Sequence, residues 1–350
     1  MSTMSADAQN PVPRHRRRSK RRNVLLIVLA LVLVGLLAGV VGVVYVGNLS
    51  RSFDSKSETI SKAFPSETLR PVKPTQGPAA EAMNVLVLGS DSRGASLNLA
   101  EEGDPSDQRS DTMMWVQIPA DRKNIYLMSI MRDTWVEIPG FGEAKIDAAM
   151  AYGGVPLVVQ TLEGIFNNRI DHVAIVNFDG FKAITDALGG VEVDVPLDFT
   201  TLHGGITFKA GPQLLNGDQA LDFVRERYAF PDGDYQRVKN QQIFFKAVLN
   251  KVLSPSTQTN PVKVMDLVDK VSPYVSVDSG LKSSTLGALA LSLKSVRGSD
   301  VISFTLPTLG TGSSADGQSI VLRDDAAIAA ISTALSEDTL GAYLKSAGLG

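Results

Sequence analysis

Met83-Asn84-Val85-Leu86-Val87-Leu88, closed by Gly89, is a short apolar run with the length and composition of a buried strand. A hairpin follows it, Thr112–Ile118 and Ile125–Ile130 joined by a turn at Pro119–Asn124. Helical apolar spacing marks 145–152, 155–167 and 180–188, and strand patterns at His172–Phe178 and Val191–Val195 alternate with these helices. Helical periodicity then dominates 216–228, 235–253, 261–271 and 280–295, before a last strand, Val301–Leu306, and a helix near 324–336. Strands alternating with helices predict an α/β fold, a central mixed β-sheet flanked by helices in an α-β-α sandwich. No internal repeat and no second linker interrupt residues 83–350, which read as one domain.

Upstream, residues 48–82 are rich in Ser, Thr, Lys and Glu and contain Pro65, Pro71, Pro74 and Pro78; they read as an extracytoplasmic linker, a semi-extended tether. Residues 24–47 contain no charged side chain and are almost wholly aliphatic. As a helix they would span roughly 36 Å, enough for a hydrocarbon core of about 30 Å. The stretch exceeds a cleavable signal core and predicts one transmembrane helix, an uncleaved signal-anchor. Residues 1–23 form a basic tail with Arg14, Arg16, Arg17, Arg18, Lys20, Arg21 and Arg22 against the single acid Asp7. By the positive-inside rule the tail is cytoplasmic, so a cell-membrane protein with a single pass and an extracytoplasmic domain is expected. A tail of this kind could also serve a membrane-tethered regulator that binds nucleic acid. The adjacent anchor and anionic lipid already account for the charge, so no nucleic-acid partner is expected.

The 350 residues include no cysteine, which excludes disulfides, thiolate zinc sites and a thiolate nucleophile. His15, His172 and His203 lie far apart, against a Ser-His-Asp triad, although one lone histidine could act as a base. The chain carries a net charge of −3 despite its basic tail, so the domain is acidic. Within that acidic domain, cations gather at element ends.

The helix beginning near Asp234 carries Val238, Phe245, Val248 or Leu249, and Val252 as its apolar stripe. Continued backward, the stripe meets Gln241 or Gln242, then Arg237 or Val238, then Asp234, so polar groups face what later becomes core. Asp234 also suits a helix N-cap, and the helix N-terminus favours an anion. Arg225 and Arg227 end the preceding helix. Asp91 and Arg93 occupy the turn after the first strand, where α/β folds bind ligands. That turn lacks the Lys-Ser/Thr ending of a P-loop. Arg109 and Asp111 enter the next strand, Arg132-Asp133-Thr134 leaves the one after, and Lys145 opens a helix. Arginine forks match phosphate oxygens, and aspartate pairs suit Mg²⁺ (or Mn²⁺) bridging phosphates. Together they indicate a pyrophosphate with a metal.

These motifs, in order, resemble the LytR-CpsA-Psr family of bacterial envelope phosphotransferases. The matching stretches are Asn84–Arg93, Arg109–Thr112, Ser129–Thr134, Lys145–Gly154, Asp171–Phe181, Leu188–Val191, Leu215–Leu221, Val224–Tyr228, and Asp234 with Arg237 and Gln241. They cover about residues 83–245. Met131 stands where the family usually has proline, and Asp147 where it usually has Asn. The resemblance implies transfer of a glycan phosphate from a polyprenyl-pyrophosphate carrier to a peptidoglycan hydroxyl, attaching teichoic acid, capsule or arabinogalactan. It implies that Asp91 and Asp111 hold Mg²⁺ and that Arg109, Arg132, Arg225, Arg227, Arg237 and Gln241 bind the pyrophosphate. Arg93 and Lys145 join that charged set, Arg109 and Arg132 assist the chemistry, and Asp111 or Asp234 serves as general base. The family also implies a hydrophobic tunnel for the lipid, with Val155, Leu157, Val158, Leu162 and Ile165 and Phe178 or Phe181 as its candidate walls. A polyprenyl-pyrophosphate pyrophosphatase, with water as acceptor, is the alternative on the same site.

Overall fold

A computed structural model describes residues 46–90, 110–202 and 204–349. The chain separates into two compact units, Met1–Leu49 and Ser50–Gly350. The basic tail and all but the last two residues of the expected anchor lie outside the described residues, as does most of the expected turn after the first strand. No helix among the described residues is long and apolar enough to cross a membrane.

The second unit is built on one seven-stranded sheet. Its strands are β1 (Glu58–Ile60), β2 (Met83–Ser90), β3 (Ser110–Ile118), β4 (Ile125–Ile130), β5 (His172–Asn177), β6 (Val275–Asp278) and β7 (Val301–Thr305). They are ordered β1-β6-β5-β2-β3-β4-β7. The sheet is mixed: β2 runs parallel to β5 and antiparallel to β3, and β7 runs parallel to β4. The helices are α1 (Ala148–Phe166), α2 (Phe178–Ala187), α3 (Gly217–Arg225), α4 (Asp234–Val252), α5 (Pro261–Val271), α6 (Ser283–Ser292), α7 (Asp325–Ser336) and α8 (Leu340–Ala347).

The opening run divides the two faces. Because strand side chains alternate, Leu86 and Leu88 join Met113, Trp115 and Met128 in a closed core beneath α1, α7 and α8. Val85 and Val87 point the other way, toward Phe245 and Leu249 of α4 and Leu289 of α6. A third core lies outside the sheet: Phe199, Phe208, Phe223 and Phe230 pack with ring centroids 4.8–6.0 Å apart beside Val191, Val193 and Val195. The α/β sandwich with a central mixed sheet therefore stands as expected, with these corrections.

Val191–Val195 does not join the central sheet; it pairs with Gly211–Leu215 in its own two-stranded sheet. Its apolar side chains alternate with exposed ones, so a single buried face suffices, and the phenylalanine core supplies it. The helical patterns at 145–152 and 155–167 stand as two segments that run together in α1, parted at Gly153 and Gly154, whose backbone is not helical (φ −153° and 62°), just before Pro156. Lys145 ends a hairpin strand, Gly142–Lys145, paired with Trp135–Ile138, rather than opening that helix. Part of the expected tether also belongs to the fold. Glu58–Ile60 adds to β6 as a parallel edge strand, with Ile60 1% exposed. Arg70 is buried and donates through Nε to both Glu163 oxygens at 3.1 Å, and through Nη2 to Oε1 at 2.6 Å. Glu163, 1% exposed, also accepts Ile170 N–H at 2.9 Å. A polar, proline-bearing segment hides these contacts because a few isolated side chains, Ile60, Ala63, Phe64 and Arg70, make them without any apolar period.

Glu163→Ala would leave the Arg70 guanidinium buried without its counter-charge. The expected loss is about 3–5 kcal/mol, against a much smaller loss when both residues are replaced by apolar ones. Urea unfolding of the single and double variants measures both; equal losses would show that the pair contributes by packing alone.

Candidate functional site

Because β2 and β5 run parallel while β3 and β4 alternate in direction, Gly89, Asn177, Thr112 and the residues after Ile130 arrive at one edge of the sheet. A cavity of about 300 Å³ opens there on the α4 face. Val87 and Met114 form its floor, Phe178, Phe181 and Ile184 of α2 one wall, and Leu221 of α3 with Phe244, Phe245 and Val248 of α4 the other. Its polar end is lined by Arg132, Arg225, Arg227, Arg237 and Gln241. Five of the residues expected at the site thus meet on one apolar cavity. Phe178 and Phe181 line it as expected, whereas Val155, Leu157, Val158 and Leu162 are buried in the core on the opposite face of the sheet, with Ile165 packed against it.

Two of the arginines share one neighbour, Asp234. Arg237, 7% exposed, donates from Nη2 to Asp234 Oδ2 at 3.0 Å. Arg227 donates from Nη1 to the other oxygen, Oδ1, at 3.4 Å. Asp234 therefore bridges two guanidiniums and does not cap its helix; the N-cap is Gly233, at φ 49°. The Arg225 guanidinium lies over the Phe178 ring, 4.5 Å from its centroid, and that of Arg227 over Tyr228 at 4.6 Å. Burial disfavours charge on Arg227, but the Tyr228 hydroxyl and the Asp234 carboxylate outweigh it and raise its pKa.

Arg132 leaves β4 in a tight turn, in which Thr134 N and Oγ1 donate to Met131 O at 3.0 and 2.6 Å. Asp147 N donates to Arg132 O at 3.2 Å, so the start of α1 fixes the same turn. Asp133 Oδ1 lies 3.1 Å from Lys145 Nζ and 3.9 Å from Arg132 Nε. Lys145 thus stands behind Arg132 and does not line the cavity.

The polar start of α4 is buried, as its pattern predicts: Gln236, Arg237, Asn240 and Gln242 are all inside. Gln236 donates to Asn240 at 3.0 Å, Asn240 to Phe223 O at 3.3 Å, and Gln242 to Thr305 Oγ1 at 3.1 Å. Gln241 donates to Val224 O at 3.4 Å while lining the cavity.

Sequence reasoning missed Glu226, set between the two arginines that end α3. It is 4% exposed. Its Oε1 accepts the backbone N–H groups of Arg227, Tyr228 and Ala229 at 2.8, 2.7 and 3.0 Å, and Oε2 accepts that of Leu202 at 2.6 Å. Burial raises its pKa, but these four donors outweigh burial and hold it below the ordinary carboxylate range. An acid between two arginines at a helix exit is the only trace in the sequence.

Asp91, Arg93 and Arg109 lie outside the described residues. Asp111 is in β3, between Ser110 opposite Ser90 and Thr112 opposite Gly89, so its backbone borders the cavity rim. No group of three or more metal-ligating side chains occurs among the described residues. His172 sits at the other end of β5, 3.0 Å from Asp278, too far along the strand to act as a base here; His203 lies outside the described residues.

The LytR_cpsA_psr family model matches residues 43–337. A relative from Enterococcus faecalis, described as polyisoprenyl-teichoic acid–peptidoglycan teichoic acid transferase TagU, is 32% identical over 263 residues, 74% of this chain and 82% of its own. Cell wall biosynthesis protein LcpA of Corynebacterium glutamicum is 30% identical over 285 residues, 71% of this chain. The chain spans only 54% of the length of LcpA. Among solved structures, Bacillus subtilis TagV superposes with a TM-score of 0.61 at 26% identity, covering 75% of this chain and 98% of TagV. TagT bound to LI-WTA superposes at 0.59 and 25% identity, covering 79% of this chain and 99% of TagT.

The lowered pKa of Glu226 fixes the sign of its pH effect. Its contribution is complete above the unfolded carboxylate pKa of about 4.3 and is lost as pH falls through the lower folded value. Glu226→Gln, which keeps the shape but turns an amide toward N–H donors, is expected to cost about 1–3 kcal/mol at pH 7. The variant should then lose less stability than wild type on acidification. Urea unfolding at pH 7 and at about pH 3.5 compares them; parallel losses would remove the carboxylate from the account of acid sensitivity.

Proposed function

Because this chain belongs to the LytR_cpsA_psr family, we propose that it transfers a glycan phosphate from a polyprenyl-pyrophosphate carrier to a peptidoglycan hydroxyl. The observation that carries this reading is the convergence of four arginines on the polar end of an apolar cavity. A polyprenyl chain matches the phenylalanine and aliphatic walls, and a pyrophosphate matches planar guanidiniums that present paired N–H donors. The E. faecalis relative, described as a polyisoprenyl-teichoic acid–peptidoglycan transferase, supports the substrate class.

In this mechanism the acceptor hydroxyl attacks the phosphorus bonded to the sugar, and the bond to the bridging pyrophosphate oxygen breaks. Polyprenyl phosphate departs with the electron pair and the added negative charge. Arg132, Arg225, Arg227 and Arg237 stabilise that charge, and their fixed positions remove the cost of reorganising around it. Gln241 adds a neutral polar contact. Both oxygens of Asp234 face guanidiniums, so Asp234 acts as a positioning residue for Arg227 and Arg237. The proton of the attacking hydroxyl is then assigned to Asp111. Arg93, Arg109 and Lys145 complete the positive field in this reading.

Asp91 and Asp111 would hold Mg²⁺ or Mn²⁺, which when bound supplies further charge neutralisation on the phosphate oxygens. The chemistry of the rim fits such an ion on one condition. The four arginines that line the cavity would repel a divalent cation unless the pyrophosphate arrived with it, so the metal and the donor should bind together. The anchor at 24–47 would hold the domain on the outer face of the membrane that supplies the lipid.

Full-length protein in detergent, given a polyprenyl-pyrophosphate glycan and Mg²⁺, should release polyprenyl phosphate, and chelation should stop the release. Arg132→Ala and Arg237→Ala are each expected to slow it by about 10²–10³-fold, with circular dichroism unchanged. Product analysis with and without peptidoglycan separates transfer from hydrolysis. Absence of metal-dependent release from wild type, or near-normal rates in both variants, would sink the reading.

A further inference from the structure

Phe141 and Tyr152 stack with ring centroids 4.9 Å apart and planes 18° from parallel, yet they are 55% and 38% exposed. Exposed aromatic residues are ordinary when scattered singly; a stacked, exposed pair on two different elements is not. Neither belongs to any of the apolar cores. Phe141 stands at the tip of the hairpin Trp135–Ile138/Gly142–Lys145, between Gly140 at φ 84° and Gly142 at φ 79°. Its N–H donates to Ile138 O at 2.9 Å. Two left-handed glycines around one aromatic make a turn that holds the ring outward. The strands beneath are rigid, since Val136 and Ile138 are buried in the main core. Tyr152 comes from the first turns of α1, whose Ala149 and Met150 are buried in the same core.

The hairpin has a second unexplained feature. Glu137 and Glu143 are directly opposite in its register and both exposed, and neither makes an ion pair among the described residues. Like charges opposite each other weaken a ladder, so the fold gains nothing from them. The root of the same hairpin is tied to the cavity rim, because Lys145 pairs with Asp133 beside Arg132. Phe141 stands four residues from Lys145, roughly 13 Å at a strand rise of about 3.3 Å per residue.

We infer that Phe141, Tyr152, Glu137 and Glu143 form a subsite for the acceptor glycan strand of peptidoglycan. A pyranose ring presents an apolar C–H face that stacks on an aromatic ring, and its hydroxyl groups donate to carboxylates. Charge selects the source: a patch with two exposed acids suits a hydroxyl-rich acceptor and disfavours a polyanionic polymer on the donor. The inference rests on the transfer reading for its choice of ligand.

Binding without turnover tests it. Full-length protein in detergent is sedimented with purified peptidoglycan sacculi stripped of secondary polymer, and polyprenyl phosphate release without acceptor is followed in parallel. Phe141→Ala and Tyr152→Ala are each expected to weaken sedimentation by roughly tenfold, about the worth of one aromatic contact. Release should be unchanged in both, and Phe141→Trp should restore binding. Glu137→Lys with Glu143→Lys, exposed on the hairpin surface, provides a variant that touches no core and should also weaken sedimentation. Wild-type sedimentation by all of these variants, or no sedimentation by wild type, overturns the subsite. Loss of donor affinity with sacculus binding intact also overturns it, assigning the platform to the donor glycan. A wild type that sediments but releases nothing would remove the transfer reading while the variants still decide the subsite.

Discussion

Guanidinium groups gathered on one cavity repel each other, and the rest of the site depends on how that repulsion is contained. Asp234 gives one oxygen to Arg227 and the other to Arg237. Arg225 is steadied by the Phe178 ring, a partner that leaves its charge intact. Arg132 has a shared carboxylate in Asp133. One bridging carboxylate and one aromatic face fix three of the four rim guanidiniums without cancelling the positive field. The geometry then exists before a ligand arrives, which is what electrostatic stabilisation of a departing phosphate requires.

Containment reaches further through the backbone. The turn after Arg225, which carries Arg227, has no regular secondary structure to satisfy its N–H groups, and Glu226 accepts three of them while also holding Leu202. The third core lies directly behind that turn, with Phe199, Phe223 and Phe230. Its small sheets therefore anchor the arginines rather than extend the central sheet. On the far face, α1, α7 and α8 pack over Leu86, Leu88 and Trp115 in the main core. The division is physically sensible. An apolar cavity forfeits packing contacts, and the closed face supplies the stability that the open face gives up.

What was legible in the sequence follows from this division. Met83–Leu88, the hairpin after it and the long helices carry enough apolar side chains for their period to show. The buried polar start of α4 was legible too, because Arg237 and Gln241 stand where the stripe calls for apolar groups. Family resemblance added the order of the motifs, and the matched family model extends from residue 43 to residue 337. Glu226 was not legible, since its role lies in the backbone groups that it accepts and those do not appear in a sequence. For Asp234 the sequence allowed both a helix cap and a general base; the two arginines that take its oxygens are a tertiary fact. The strand Glu58–Ile60 rests on Ile60 and on an edge that β6 leaves open, and both are tertiary facts. The family resemblance offered Val155, Leu157, Val158, Leu162 and Ile165 as tunnel walls, and in sequence an apolar helix on either face of the sheet looks alike. Only the topology distinguishes the face of the sheet that is closed from the face that is hollow.

Opposite charges meet at a narrow seam in this molecule. Arg132 belongs to the basic rim, while Glu137 and Glu143 lie a few residues on, along the same hairpin. Asp133 stands between them and holds Lys145 at 3.1 Å. Thr134 O accepts Ile146 N–H at 2.9 Å, and Asp133 O accepts Val321 N–H at 2.9 Å, so the seam is braced from both sides. A hairpin fixed in this way cannot swing independently of Arg132. If the aromatic tip holds an acceptor sugar, the sugar's position relative to the phosphorus is set by the same few backbone bonds that set the arginine. Positioning two reactants from one rigid element turns binding into orientation. That arrangement suits a reaction without a covalent enzyme intermediate, in which a weak hydroxyl nucleophile and a charged donor must be aligned by the protein.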